Sequence, residues 1–187
     1  MIVGSSSVFA LESEITEAVP NTGQRALGFF LIHIASRAFG VKEPDATMLG
    51  CSFGEVSNRL QRRGTHSFAV ADYAGAAQIA QAYLDAIYRD TSRTDYFGLS
   101  QQGFVDAFHS SAARWAPDGD EAFDDGSHVL QFDVGNRVRL IGFINTDSPE
   151  DVSATVKEIW LDADIFYDVL SRWKDLFASA WENRLLA

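Results

Sequence analysis

From Asp118 to Ile144 the chain reads DGDEAFDDGSHVLQFDVGNRVRLIGFI, an acidic loop that runs straight into an alternating stretch turning on Gly135-Asn136. Alternating runs on either side of a short Gly-containing turn make a β-hairpin, so whatever else the chain does it must contain antiparallel sheet. The loop length decides which residues face each other. A two-residue turn pairs Phe132 with Arg139 and Val134 with Arg137, which mixes polar and apolar groups on both faces. A loop of Gly135, Asn136 and Arg137 instead sets Val134 against Val138 and Phe132 against Leu140, and leaves Leu130 beside Gly142. It also opposes Asp133 to Arg139 as a cross-strand ion pair. The longer loop, or a bulged equivalent, is the expected register.

The same periodicities organise the rest of the chain. Residues 8 to 19 place Phe9, Leu11 and Ile15 on one face and Glu12, Glu14 and Thr16 on the other, a half-buried strand. After Pro20-Asn21-Thr22-Gly23, residues Gly28 to Ala35 are apolar on both faces, as a central strand is, and the two form a second hairpin. Ser52 and Glu55 read as a capping box opening a helix to about Arg63, with Val56 and Leu60 inward. Asp72 is the expected N-cap of a helix to about Arg89 that buries Ile79, Tyr83 and Ile87. Residues 99 to 116 keep helical spacing at Phe104 and Phe108 despite Gly103 and Ser110-Ser111. Pro149 ends the hairpin excursion and Val156 to Leu161 returns as a strand. A last helix, from Ile165 to about Leu186, carries the broadest apolar stripe: Phe166, Val169, Leu170, Trp173, Leu176, Phe177 and Trp181. The expected fold is a single α+β domain over residues 1–187, a mainly antiparallel sheet packed by helices including this long C-terminal one.

Composition removes several classes of function. A chain of 187 residues suffices for one domain with a real core. Its longest apolar run, Leu27 to Ala35, is interrupted by His33 and is too short to span a bilayer. The start, MIVGSSSVFALESE, has no basic region followed by an apolar stretch, so the cytoplasm is the expected location. A formal net charge of −11 repels phosphate backbones and anionic lipids and steers a cationic partner inward. Direct binding of nucleic acid or membrane is therefore not expected.

Few residues have the spacing that chemistry needs. Counted as a calcium loop from Asp118, the third alternate position is Ala122, the glycine position is Phe123 and the closing glutamate position is Val129, so no EF-hand is present. His33, His66, His109 and His128 lack the helical spacing that brings two imidazoles to one zinc, and each reads as a hydrogen-bonded structural or surface histidine. The lone Cys51 reads as a small buried hydrophobe. No catalytic residues, metal or cofactor are expected. The acidic residues Asp118, Asp120, Glu121, Asp124 and Asp125 are the candidate surface for a protein partner.

Several of these stretches together resemble the immunity protein 42 family, antidotes encoded beside bacterial polymorphic toxins. The resemblance rests on MIVG followed by Phe9-Ala10-Leu11-Glu12, the strand Gly28 to Ile34, Trp115 ahead of the acidic loop, Phe123 to Leu130, and Trp160, Trp173 and Trp181. Ser5-Ser6 departs from the Asp-Pro or Asn-Pro expected after the first glycine. The resemblance implies a non-enzymatic protein that binds and neutralises a cognate toxin, and the charge fits a basic nuclease. The alternatives are a small metal-assisted hydrolase using the Asp118 to Asp125 carboxylates with His128, and a scaffold or regulatory domain that binds some other protein.

Overall fold

The computed structural model describes residues 1–115 and 120–186. One antiparallel sheet has the order β1 (Ile2–Ser5), β2 (Phe9–Ala18), β3 (Ala26–Ile34), β4 (Arg37–Phe39), with β5 (Thr47–Met48) pairing the other end of β3. A second antiparallel sheet has the order β6 (Ser127–Val134), β7 (Arg137–Ile144), β8 (Lys157–Asp162). Around them lie α1 (Gly50–Gln61), α2 (Ala76–Ile87), α3 (Gln101–Ser111), α4 (Pro149–Thr155) and α5 (Ala163–Leu185). The class is α+β, as the alternation and helical periods require. Among the described residues, no helix is long and apolar enough to cross a membrane.

The hairpin β2–β3 forms as the alternation demands, with a bulge between Ile15 and Glu17. Glu14 and Thr16 face solvent, but Glu12 is buried. Its carboxylate accepts from Lys42 Nζ at 2.7 Å and meets His33 Nε2 at 2.8 Å. Burial pushes the Glu12 carboxyl up, yet Lys42 and His33 outweigh it and hold the group below its ordinary value.

The second hairpin takes the two-residue turn, not the longer loop. Val134 pairs with Arg137, Phe132 with Arg139 and Leu130 with Ile141, and Gly135 adopts φ 60°, as the first central residue of a II′ turn does. The longer loop clears one face of polar groups, an advantage only where one face meets water, whereas this sheet is buried on both. Val129, Val138, Leu140 and Leu161 join a cluster with the first sheet and α5. Leu130, Phe132, Ile141 and Phe143 join another with α2 and α3. Polar residues between them are satisfied internally. Arg139 donates from Nη1 to the carbonyls of Ala71 and Ala74 at 2.7 and 2.9 Å, and from Nε to Glu158 at 2.8 Å. Where the sheets meet, a Cβ on Gly142 would fall 2.4 Å from the Phe39 ring, so no larger residue fits there.

Helix starts differ from the expected caps. Leu49 is the N-cap of α1, the Ser52 hydroxyl is buried without a partner among the described residues, and Glu55 pairs with Arg59 instead of capping. Ala69–Asp72 is a separate 3-10 turn, and α2 starts after Gly75, whose N–H donates to Gln78 Oε1 at 3.1 Å. Ser100 caps α3 by accepting from Gly103 N at 3.1 Å. The short α4 had no expected counterpart; Ser148 caps it and Pro149 opens it. Asp162 caps α5, accepting from Asp164 N at 2.8 Å. Leu176 is exposed although its spacing places it on the apolar stripe of α5, and Cys51 is exposed rather than buried.

A buried polar network ties α1, β6 and α5 together. Arg59, only 1% exposed, donates to Gln131 Oε1 at 2.9 Å, to the Arg114 carbonyl at 2.6 Å and to Glu55 at 2.8 Å. Its guanidinium lies 4.5 Å from the Trp115 ring centroid. Gln131 Nε2 donates to Tyr167 Oη at 2.9 Å, and Tyr167 donates to the Asp133 carboxylate at 3.0 Å. That carboxylate also accepts from the His66 backbone N–H at 3.1 Å.

The His66 ring is itself buried, with Nδ1 3.2 and 3.1 Å from the carbonyl oxygens of Ser111 and Ala112, which places the proton on Nδ1. Burial, then the Arg59 charge, hold His66 below its ordinary value against the opposing pull of Asp133 and the two carbonyls. Such a group binds its proton more readily unfolded than folded. It therefore contributes stability that is complete above about pH 6.5, the unfolded value, and is lost as pH falls toward the folded one. The expected result is a Tm that drops between pH 7 and 5.5, with a shallower slope in His66→Gln. Equal slopes by thermal denaturation would assign the acid sensitivity to other groups.

Candidate partner-binding surface

The acidic loop is more structured than its composition implies. Residues Glu121–Phe123 form a single 3-10 turn whose Ala122 and Phe123 are buried. The Ala122 carbonyl accepts from Val41 N at 2.8 Å, and the Phe123 ring meets Phe30 edge-on at 6.5 Å. Two apolar residues between acids thus pin the turn onto the first sheet.

Its carboxylates divide by role. Asp118 lies outside the described residues. Asp120 caps the turn, accepting from Ala122 N at 3.0 Å. Burial raises its carboxyl, hydrogen bonds from Ala122 and Thr47 pull the other way, and the charges of Asp124 and Glu121 raise it further. Asp125 accepts from Ser127 N at 3.0 Å and Ser127 Oγ at 2.9 Å, while that Oγ accepts from Gly40 N at 3.1 Å. Glu121, Asp124 and Asp125 are exposed. Asp120 and Asp125 thus shape the turn, Asp125 while still facing solvent, and Glu121 and Asp124 only present charge, a division that sequence spacing does not reveal.

Beyond the turn lies Glu55, half-buried on α1. Burial raises its carboxyl, Arg59 lowers it, and the charge of Asp120 raises it again. Glu55 lines a cavity of about 270 Å3 with Phe108, His109, Ala112, Arg114 and Trp115. His109 also lines a second, of about 450 Å3, with Ala86, Ile87, Gln101, Gln102 and Val105. The two run along the outer side of α3, which ends at Ala112 in the left-handed conformation, φ 47°. Neither cavity was foreseen. Val105 and Ala107 are half-buried against the second core, on a helix whose sequence is itself ambiguous, so no spacing points to these cavities.

The hydrolase constellation is not assembled by the described residues. His128 packs among the rings of Tyr83, Tyr88 and Phe143 at 5.4, 5.3 and 5.3 Å. Among the described residues, no group of three or more His, Cys, Asp or Glu is arranged to hold a metal ion. The remaining histidines are structural or on the surface: His33 meets Glu12, His66 is in the network, and His109 is exposed.

A family model described as Immunity protein 42 matches residues 1–176 of the chain. Among solved structures it is similar to the crystal structure of CdiI from Burkholderia dolosa AUO158, with a TM-score of 0.58 over 96% of this chain and 99% of that chain. At 16% identity that likeness is one of fold. No curated protein matches the sequence.

Proposed function

The chain belongs to the immunity protein 42 family and is not an enzyme, and from that premise we propose that it binds the toxin of a bacterial polymorphic toxin system and neutralises it inside the producing cell. The observation that carries this reading is the family match across residues 1–176. The net charge of −11 supports a basic toxin, and nucleases are commonly basic because they bind phosphate backbones. The acidic residues 118 to 125 are the proposed steering surface, with Glu121, Asp124 and Asp125 as the exposed charges among its described residues.

Co-expression with the toxic C-terminal domain of the upstream neighbour tests the reading. Survival together with a co-purifying complex is the expected outcome; neither rescue nor complex would refute it. Binding without rescue would instead favour a scaffold or regulatory role. The steering surface has its own test. Because Asp120 and Asp125 hold the turn, the informative variant is Glu121→Gln with Asp124→Asn. Its association rate at low salt should fall several-fold and its salt dependence should flatten, with Tm unchanged. Stopped-flow rates equal to those of the unmodified chain would remove the turn from the interface.

A further inference from the structure

We propose that β8 is an open edge onto which an extended segment of the toxin adds as a fourth strand of the second sheet, with an apolar residue beside Trp160. This rests on the immunity reading and specifies how the toxin is gripped. The two edges of that sheet differ. Along β6 the outer backbone groups are taken up inside the chain: Trp115 N donates to Val129 O, Gln131 N to Ala113 O and Asp133 N to His66 O, each at 2.8 Å. β8 pairs with β7 alone, over six residues without a shift of register. Ala163 N donates to Asn136 O at 2.9 Å, and bonded pairs alternate along an antiparallel ladder, so Lys157, Ile159 and Leu161 turn their amides to β7. Glu158 and Trp160 turn theirs outward, and among the described residues no backbone hydrogen bond meets them.

An unpaired edge is a template for another strand, which natural sheets blunt with proline, bulges, shortness or charge. β8 has no proline and no bulge, and its charges, Lys157, Glu158 and Asp162, stand at its ends around Ile159-Trp160-Leu161. Those charges do not set the occupant, since Glu158 is held by Arg139 at 2.8 Å and Asp162 caps α5. The grip is main-chain bonding, with Trp160 as the side-chain anchor. Its half-buried indole is held in place, donating to Glu158 Oε1 at 3.0 Å with the Arg137 guanidinium 4.8 Å from its ring. A second copy of this chain fits poorly. Two β8 strands joined antiparallel keep their faces, so centring on Trp160 opposes Glu158 to Asp162 twice, and centring on Ile159 opposes Glu158 to Trp160. Each copy also brings a charge of −11, which repels its like and draws a basic toxin.

The test is amide exchange by NMR on the full chain, alone and with the purified toxin domain. Alone, Ile159 and Leu161 should be protected while Glu158 and Trp160 exchange freely, and the toxin should slow those two about tenfold or more. A complex in which both exchange as they do in the free chain would overturn the edge and leave the immunity reading standing. So would protection that is present without toxin and rises with the concentration of the chain, which assigns the edge to a second copy. Two variants give an independent readout. Glu158→Pro and Glu158→Ala both release Arg139, but only proline removes the outward N–H, a loss that an edge strand tolerates. By titration calorimetry the proline variant should bind about tenfold more weakly, or worse, than the alanine one, with a similar Tm. Affinities within about twofold of each other would count against the main-chain grip. No complex with the unmodified chain would overturn both readings.

Discussion

Arg59→Ala should destabilise the protein by about 3–5 kcal/mol, the cost of removing one partner from a buried charge network. For a chain of this size that lowers Tm by roughly 10 °C or more. The size of the effect comes from what is left behind. Gln131 Oε1 and the Arg114 carbonyl lose their donor, the half-buried Glu55 loses its counter-charge, and the Trp115 ring loses the guanidinium 4.5 Å from its centroid. Burial already works against the Arg59 charge, with Glu55 as the largest opposing influence, so the pair stands or falls together. A triple variant, Arg59→Met with Glu55→Leu and Gln131→Leu, removes the stranded Glu55 and Gln131 groups but not the Arg114 carbonyl, and should recover part of the loss. Arg59→Lys should not, since an ammonium lacks the fork that reaches three acceptors. Denaturant midpoints with unchanged m-values would check the series. A loss under about 1 kcal/mol for Arg59→Ala would mean that water reaches the site and replaces the bonds. The same network holds Glu55 and Trp115 on the wall of one cavity beside α3.

What the sequence made legible was whatever depends on local period. The strand from Phe9, the central strand ending at Ile34, the helix through Tyr83 and the stripe of α5 all follow from spacing, because one buried face imposes it on consecutive residues. The β6–β7 register did not follow, because burial on both faces removes the asymmetry that the reasoning needed. With Arg139, Gln131 and Asp133 satisfied internally, polar residues no longer mark the wet side. The caps failed for a related reason. Ser52-x-x-Glu55 has the right spacing, but Glu55 is drawn to Arg59, a tertiary partner that no local motif announces. At the acidic turn the carboxylates were recognised as a group, whereas the engagement of Asp120 and Asp125 depends on the fold. The cavities beside α3 need α1, α2 and α3 assembled before they exist, so no local spacing points to them.

Trp173→Ala is expected to cost about 4 kcal/mol, within the range for deleting a large aromatic from a core. Trp173 is fully buried, stacks on Phe177 at 5.1 Å and meets Phe30 edge-on at 5.1 Å. Its indole N–H donates to the buried Ser13 hydroxyl at 3.0 Å, 160 residues away in sequence. The truncation therefore opens a cavity and strands a hydroxyl in β2 at once. Trp173→Phe keeps most of the volume and loses the donor, so it should fall between the unmodified chain and Trp173→Ala, while Ser13→Ala isolates the hydrogen bond at about 1 kcal/mol. Leu176→Ala, three residues further on α5 but exposed, should change stability by less than about 0.5 kcal/mol. The contrast between neighbours bears on how α5 works, since it packs on β1, β2, β7, β8 and α1 and so spans both sheets. If Trp173 is the anchor of that span, its loss should loosen the helix and raise hydrogen exchange in β2 and α1 together. A cost near that of Leu176→Ala would instead mean that Phe166, Phe177 and Trp181 hold the helix without it, and that the two sheets are joined chiefly through their direct contact at Gly142 and Phe39.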